Sequence, residues 1–363
     1  MTTDCFDRNV RLHYRSCVGL DYNKHHLAEL LMKRSATDCY SRLIGVLGVI
    51  CTLAAFVAVD EANALPASSV RRLFVTNNTY IGSSQPIISS KLDGSSSQVI
   101  AFSQGGALDI DAFENHIYWT ENNFGKVRRA SLDGSGIETL FQATPSFPAV
   151  MPAGLAIDPA AKILYWSNQQ INDIRSMSLD GVNPQVLNIS GLDTPYALAV
   201  DHLNEKLYWS EYRFRRINRA NLDGSSPELV VQDGGDLPTV DGLALDLVEG
   251  KVYWTNRLLD RVQRANLDGS QVETIIMASG SGSNLRDIEI DPISRKLYWV
   301  DDRKDISEMS YIYRANLDGT GSELLMELVG QATGLAISVP EPSAATLLAF
   351  GLIGASCYCR RSA

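Results

Sequence analysis

The chain has 363 residues, with 32 Lys and Arg against 42 Asp and Glu, a formal net charge of −10. Between residues 65 and 339 the balance is 23 basic against 34 acidic side chains, net −11, which excludes nucleic acid or an anionic polymer as a ligand drawn in by long-range attraction. The six cysteines, Cys5, Cys17, Cys39, Cys51, Cys357 and Cys359, all lie outside that stretch, so about 275 residues must be held by core packing rather than by disulfides.

Residues 1–31 are polar and mixed in charge. Met32-Lys33-Arg34 then leads into Leu43–Val59, 17 mostly apolar residues without a charge, followed by the small-x-small triplet Ala62-Asn63-Ala64. This order of a basic start, an apolar run and a small-residue site reads as a signal peptide cut beside Ala62 and Ala64 by a signal peptidase. It places the true start at Met32 and makes 1–31 an extension; an uncleaved anchor at 43–59 is the alternative. Residues 1–64 are thus set apart from the folded part.

From there the chain repeats. Leu-Asp-Gly occurs six times, at Leu92, Leu132, Leu179, Leu222, Leu267 and Leu317, at intervals of 40, 47, 43, 45 and 50 residues. Tyr-Trp precedes the last five of them, at Tyr118, Tyr165, Tyr208, Tyr253 and Tyr298, and accounts for all five tryptophans. A period of this size marks an array of supersecondary units. In the fifth unit Gly242–Asp246 is a short apolar strand and Lys251–Thr255 a β-branched and aromatic one. Arg261–Asn266 alternates as a half-buried strand, Leu267–Ser270 is a tight turn, and Val272–Ile276 is a fourth strand. Four antiparallel strands per unit make a propeller blade. The first unit, with Leu73-Phe74-Val75-Thr76 in the Tyr-Trp place, has no inner strand before it. Thr333–Ile337 matches Ala153–Ile157 and follows the sixth unit, so it is expected to complete blade 1 and close the ring. The fold class is all-β, a six-bladed propeller over 65–339.

The run Gly-Leu-Ala-Ile-Asp, then Lys-Leu-Tyr-Trp-(Thr/Ser), then Leu-Asp-Gly-Ser resembles the LDL-receptor class B, or YWTD, repeat over residues 71–338. That resemblance implies a six-bladed propeller whose usual work is protein binding rather than catalysis. The residue closing the Tyr-Trp motif is Glu121, Asn168, Glu211, Asn256 or Asp301, so one copy in five keeps the family's Asp, and no EGF-like module flanks the array. At the other end Val339-Pro340-Glu341-Pro342-Ser343 precedes 16 largely apolar residues, Ala344–Cys359, and Arg360-Arg361. Residues 340–363 resemble the PEP-CTERM sorting signal of Gram-negative bacteria. The resemblance implies an exosortase-type processing enzyme, transient membrane association and a final place at the envelope, at the surface or outside the cell. An ordinary C-terminal anchor is the alternative.

Loop lengths point to the working face. The count from Asp to Tyr is seven in all five Tyr-Trp copies, from Asp111, Asp158, Asp201, Asp246 and Asp291, so the face carrying these turns and the Leu-Asp-Gly turns is expected to be uniform. On the opposite face Trp to Leu-Asp-Gly is 13 residues in four blades and 18 in blade 6, and the inter-blade connections vary. Binding residues concentrate in such loops. The candidates there are Tyr212, Arg213, Phe214 and Arg216, the blade 6 insertion from Arg303 to Tyr311, and Tyr196, Asp241 and Arg286 at the starts of inner strands. Fourth positions of the inner strands read Asp109, Ala156, Ala199, Ala244, Glu289 and Ala336, with Asp287 at a second position. These acids could bind water in a channel or hold a hard cation such as Ca²⁺, although no cofactor is required. The propeller's two histidines, His116 and His202, fall on the uniform face, and no cysteine or Gly-x-Ser-x-Gly nucleophile is present. The expectation is an exported, non-enzymatic module for a protein or glycan. A metal-dependent hydrolase, lactonase or lyase and a passive coat component are the competing readings, and fold alone does not separate them.

Overall fold

The computed structural model describes residues 71–78, 85–103, 107–143, 151–232, 240–278, 282–303 and 309–338, all within one compact unit, Ala67–Glu341. The expected start at Met32, the cleavage site at Ala62 and Ala64 and the Pro340-Glu341-Pro342 motif lie outside the described residues. Among the described residues twenty-four strands form six antiparallel sheets of four, and the six inner strands touch one another in a closed ring. Blade 5 consists of Val240–Asp246, Lys251–Asn256, Arg261–Asn266 and Glu273–Met277, within a residue or two of the sequence reading.

Why Tyr and Trp stand side by side follows from strand geometry. Successive side chains point to opposite faces of a sheet, and in a propeller both faces are covered by neighbouring blades. Tyr253 therefore packs toward blade 6, in a core cluster with Ile288 and Trp299, while Trp254 packs toward blade 4 beside Ala197 and Tyr208. The same pairing recurs at every seam: Tyr118 with Trp166, Tyr165 with Trp209, Tyr298 with Val75, Phe74 with Trp119. Among the described residues there are six small cores, one per seam, and each is made by two blades. Phe74 and Val75 in blade 1 keep the apolar pattern without the aromatic pair.

Polar groups lace the same seams. The hydroxyl after Tyr-Trp accepts the N–H of its own inner strand and donates to the next one: Ser167 takes Gly154 N–H (2.9 Å) and donates to the Tyr196 carbonyl (2.6 Å). Blade 6 has Val300 there, and Ser310 takes over, donating to the Gly330 carbonyl (2.7 Å) and accepting Ala332 N–H (2.8 Å). At the Leu-Asp-Gly turns the Asp carboxylate accepts the N–H two residues on, as Asp268 does from Ser270 (2.9 Å). Gly269 has φ +83°, and a Cβ there would lie 1.7 Å from the Val230 carbonyl oxygen of blade 4. An arginine three residues ahead of the turn reaches the following blade: Arg264 donates to the Leu317 carbonyl (3.0 Å), and Arg129, Arg219 and Arg314 do the same to Leu179, Leu267 and Leu92. Each also pairs with a glutamate on the outer strand, as Arg264 does with Glu273 (2.7 Å). Blade 3 has Ser176 instead, opposite Gln185, and its outer strand is only Gln185–Val186.

The ring closes as expected. Gln331–Ile337 pairs antiparallel with Arg72–Asn78, Phe74 facing Ala336 and Val75 facing Leu335. The two ends of the propeller are tied where other blades have their first turn: Arg72 N–H donates to Ser338 Oγ (2.9 Å), and Ser338 N–H donates to the Arg72 carbonyl (2.9 Å).

One expected equivalence is wrong. In blade 3 the turn Asp, Asp158, faces Ile163, and Ala156 faces Tyr165; in blade 2 it is Asp111 that faces Tyr118. Asp111 is thus a fourth-position residue, equivalent to Ala156, and Phe113 occupies the turn-Asp place. The blade 2 hairpin has two turn residues, Glu114 and Asn115, where blades 3 to 6 have four, so the turn face is less uniform than the constant count implied. Asp109 moves with it, from the fourth position to the second, beside Asp287.

Candidate functional site

The corrected register gives the channel two acidic tiers. Second positions read Asp109, Gly154, Ala197, Gly242, Asp287 and Gly334; fourth positions read Asp111, Ala156, Ala199, Ala244, Glu289 and Ala336. All four acids come from blades 2 and 6, which flank the closing strand. In the three aspartates both carboxylate oxygens accept backbone N–H groups. Asp109 accepts Ile110 and Leu155 N–H (2.8 and 2.7 Å), Asp111 accepts Ala112 and Ile157 N–H (2.7 and 3.1 Å), and Asp287 accepts Ile288 and Leu335 N–H (2.8 and 2.7 Å). The acids tie blade 2 to blade 3 and blade 6 to the closing strand. Burial raises the Asp111 carboxyl to about 6 and that of Asp287 to about 7. Asp109 and Glu289 are pushed well above the usual carboxylate range, by burial first and then by Asp287 and Asp111 respectively. Among the described residues no three His, Cys, Asp or Glu side chains are placed to hold a metal ion.

At the loop face the channel narrows to a cavity of about 10 Å³, lined by Asp109, Tyr196, Asp241, Arg286 and Asp287 among others, with room for about one water. The sequence candidates Tyr196, Asp241 and Arg286 do meet here. Arg286 bridges Asp241 (3.2 Å) and Asp302 (3.2 Å), and Arg257 approaches Asp241 from the other side (3.4 Å). Burial, with the Asp241 charge second, raises the Tyr196 hydroxyl. This is a cross-linked stopper of charges over the channel.

Beside it opens a wider depression of about 560 Å³, made by blades 2 to 5 and lined by Tyr196, Tyr212, Arg213, Gln169, Gln170 and Asn172, among others. Tyr196 belongs to both. Its floor is fixed by Thr194, whose φ of +49° is unusual for a β-branched residue. Three hydrogen bonds hold it there: its N–H donates to Asn172 Oδ1 (2.7 Å), its carbonyl accepts Tyr212 N–H (3.1 Å), and its Oγ1 accepts Arg213 N–H (3.0 Å). The loop carrying Tyr212 and Arg213 is thereby pinned to blade 3.

The other candidates fall outside that depression. Phe214 stands 51% exposed on the blade 4 loop with Arg216 against its ring, 4.9 Å from the centroid. Arg216 is also tied to buried Glu211 (2.6 Å), so Arg213, with its side chain 75% exposed, is the more available of the two. Arg303 covers the Tyr311 ring (4.4 Å) and donates to the Tyr313 hydroxyl (3.2 Å), a separate cluster on blade 6; residues 304–308 lie outside the described residues. The depression itself was not legible in sequence, because its residues come from four blades and no motif joins Gln169, Asn172 or Thr194 to Tyr212.

No protein-family model matches the sequence, and no curated protein matches it. Solved structures do match. A chain of a nidogen/laminin complex superposes with a TM-score of 0.61 at 17% identity, over 74% of this chain and 98% of that one. TolB from Acinetobacter baumannii gives 0.59 at 12% identity, over 76% and 68%, and a putative TolB from Agrobacterium tumefaciens gives 0.54 at 16%, over 72% and 91%. At these identities the likeness is one of fold: a six-bladed propeller.

Proposed function

We propose that this protein is an exported, non-enzymatic binding module that holds a protein or glycan partner on its loop face. The carrying observation is the contrast between the two openings there, a channel mouth of about 10 Å³ stoppered by Arg286 and a preformed depression of about 560 Å³ beside it. A ligand is received on the surface of the ring, on loops that a rigid scaffold positions. Exposed Tyr212, Arg213 and Phe214 extend that surface. One chain of similar fold belongs to a nidogen/laminin complex, an assembly of proteins. A hydrolase or lyase using the channel acids is less favoured, since Asp109, Asp111 and Asp287 have their oxygens on backbone N–H groups. The two terminal segments support passage through signal peptidase and an exosortase-type enzyme to the envelope.

The test is capture of partners from an envelope extract by wild type and by a variant with Arg213, Phe214 and Arg216 all changed to Ala. Loss of a specific partner supports the reading. Equal recovery from both removes this surface from it.

A further inference from the structure

We propose that the depression between Tyr212 and Gln170 is a carbohydrate site, taking a short stretch of a linear oligosaccharide. This rests on the loop-face reading and names its ligand class. The chemistry of the wall carries it. Gln169 and Gln170 present amides that each offer two donors and an acceptor, and Asn172 keeps its NH₂ group while its oxygen holds Thr194 N–H. Uncharged amides in a concave wall match the paired donor and acceptor hydroxyls of a sugar. Protein hot spots instead favour an apolar, fully desolvated centre.

The second element is a flat apolar plate. Tyr212 is 41% exposed, and its ring lies 6.2 Å from that of Tyr196 at 53°. An exposed tyrosine beside amides offers a sugar ring its C–H face a partner and its hydroxyls another. Arg213 sits next to it, its side chain 75% exposed and 3.9 Å from Asp193, able to turn toward a hydroxyl or a carboxylate. The third element is rigidity. The bonds through Thr194 fix the Tyr212 backbone before any ligand arrives, which lowers the ordering cost that weakens binding of flexible, polar ligands.

The purified full chain is titrated calorimetrically with hexasaccharides of glucose, xylose and glucuronic acid, beside Tyr212→Ala, Gln170→Ala and Val248→Ala, a change at an exposed position in a turn of the opposite face. The expected result is saturable binding of at least one hexasaccharide. Tyr212→Ala should weaken it on the order of 10-fold or more, Gln170→Ala by less, and Val248→Ala not at all. Unfolding followed by tryptophan fluorescence shows that each variant is folded. Three results overturn the proposal: no binding of any of the three sugars, binding indifferent to Tyr212 and Gln170 in folded variants, or equal loss in Val248→Ala. If the sugars fail while a protein partner is captured in a manner that depends on Arg213 and Phe214, the carbohydrate assignment falls and the loop-face reading stands. If both fail, both fall.

Discussion

Replacing Gly269 by Ala places a methyl group where the backbone of the neighbouring blade already is. The added Cβ would lie 1.7 Å from the Val230 carbonyl oxygen, a backbone atom that no side-chain rotation can move away. Gly250→Ala is the matched control. It has φ +65° against +83°, sits in the turn before Tyr253, and has nothing within 4 Å of the added carbon. Both substitutions force a non-glycine residue into the left-handed region, which costs about 1–2 kcal/mol. Only Gly269→Ala also overfills a seam, which adds about 1–3 kcal/mol. The prediction is therefore a loss of about 1–2 kcal/mol for Gly250→Ala and about 2–5 kcal/mol for Gly269→Ala. In a domain of this size each kcal/mol is worth roughly 2–4 °C of Tm. Urea and thermal unfolding read by fluorescence of the five buried tryptophans measures both variants. Equal losses would refute the seam argument and leave only turn conformation. A larger loss for Gly250→Ala would refute the register that places the Leu-Asp-Gly turns against the preceding blade.

The channel acids make stability depend on pH. Asp111 and Asp287 titrate near 6 and 7 when folded but near 3.8 when unfolded, so between those limits the folded state holds more protons. The stability present at low pH is lost as pH rises through 6 and 7, and Tm is expected to fall across that window. The doubly substituted Asp111→Asn, Asp287→Asn protein should show a flatter profile, and an unchanged slope would show that other groups carry the effect. Blade 3 lacks the arginine clamp of its neighbours, so Ser176→Arg combined with Gln185→Glu should raise stability by about 0.5–1.5 kcal/mol, through a new bond to the Leu222 carbonyl, as measured by urea unfolding. No gain, in a protein that still folds, would mean that the clamp depends on the longer outer strands of the other blades.

The repeats made the fold readable because the same physics acts six times. Tyr-Trp, the hydroxyl after it and the Leu-Asp-Gly turn each serve a seam, and the seams are all alike, so the spacing survives in sequence. The closing strand was readable because Gly334-Leu335-Ala336-Ile337 must pack as every other inner strand does. Blade 2 misled for a local reason. Its hairpin is two residues shorter, yet an unrelated acid, Asp111, stands at the distance from Trp119 that Asp158 keeps from Trp166. The dipeptide Glu114-Asn115, with Glu114 at φ +53°, was the available sign of a two-residue turn. The arginines before the turns were visible as a repeat, but their purpose depends on the carbonyl of the next blade, which sequence order does not show. The depression is harder still, because rotation of the blades about the axis, and no periodicity, brings Asn172 to Thr194 and Gln170 toward Tyr212.

The join between Arg72 and Ser338 has a mechanical consequence. The propeller has one point of departure for both ends of its chain, and that point lies among the Leu-Asp-Gly turns, on the side away from Tyr212. A tether through either terminus, or both, pulls on the same two residues. Load applied there is met by the paired strands Arg72–Asn78 and Gln331–Ile337, so pulling on one end shears their ladder whereas holding both leaves it slack. Any tether attached at that join would leave the open depression on the far side of the ring from its point of attachment.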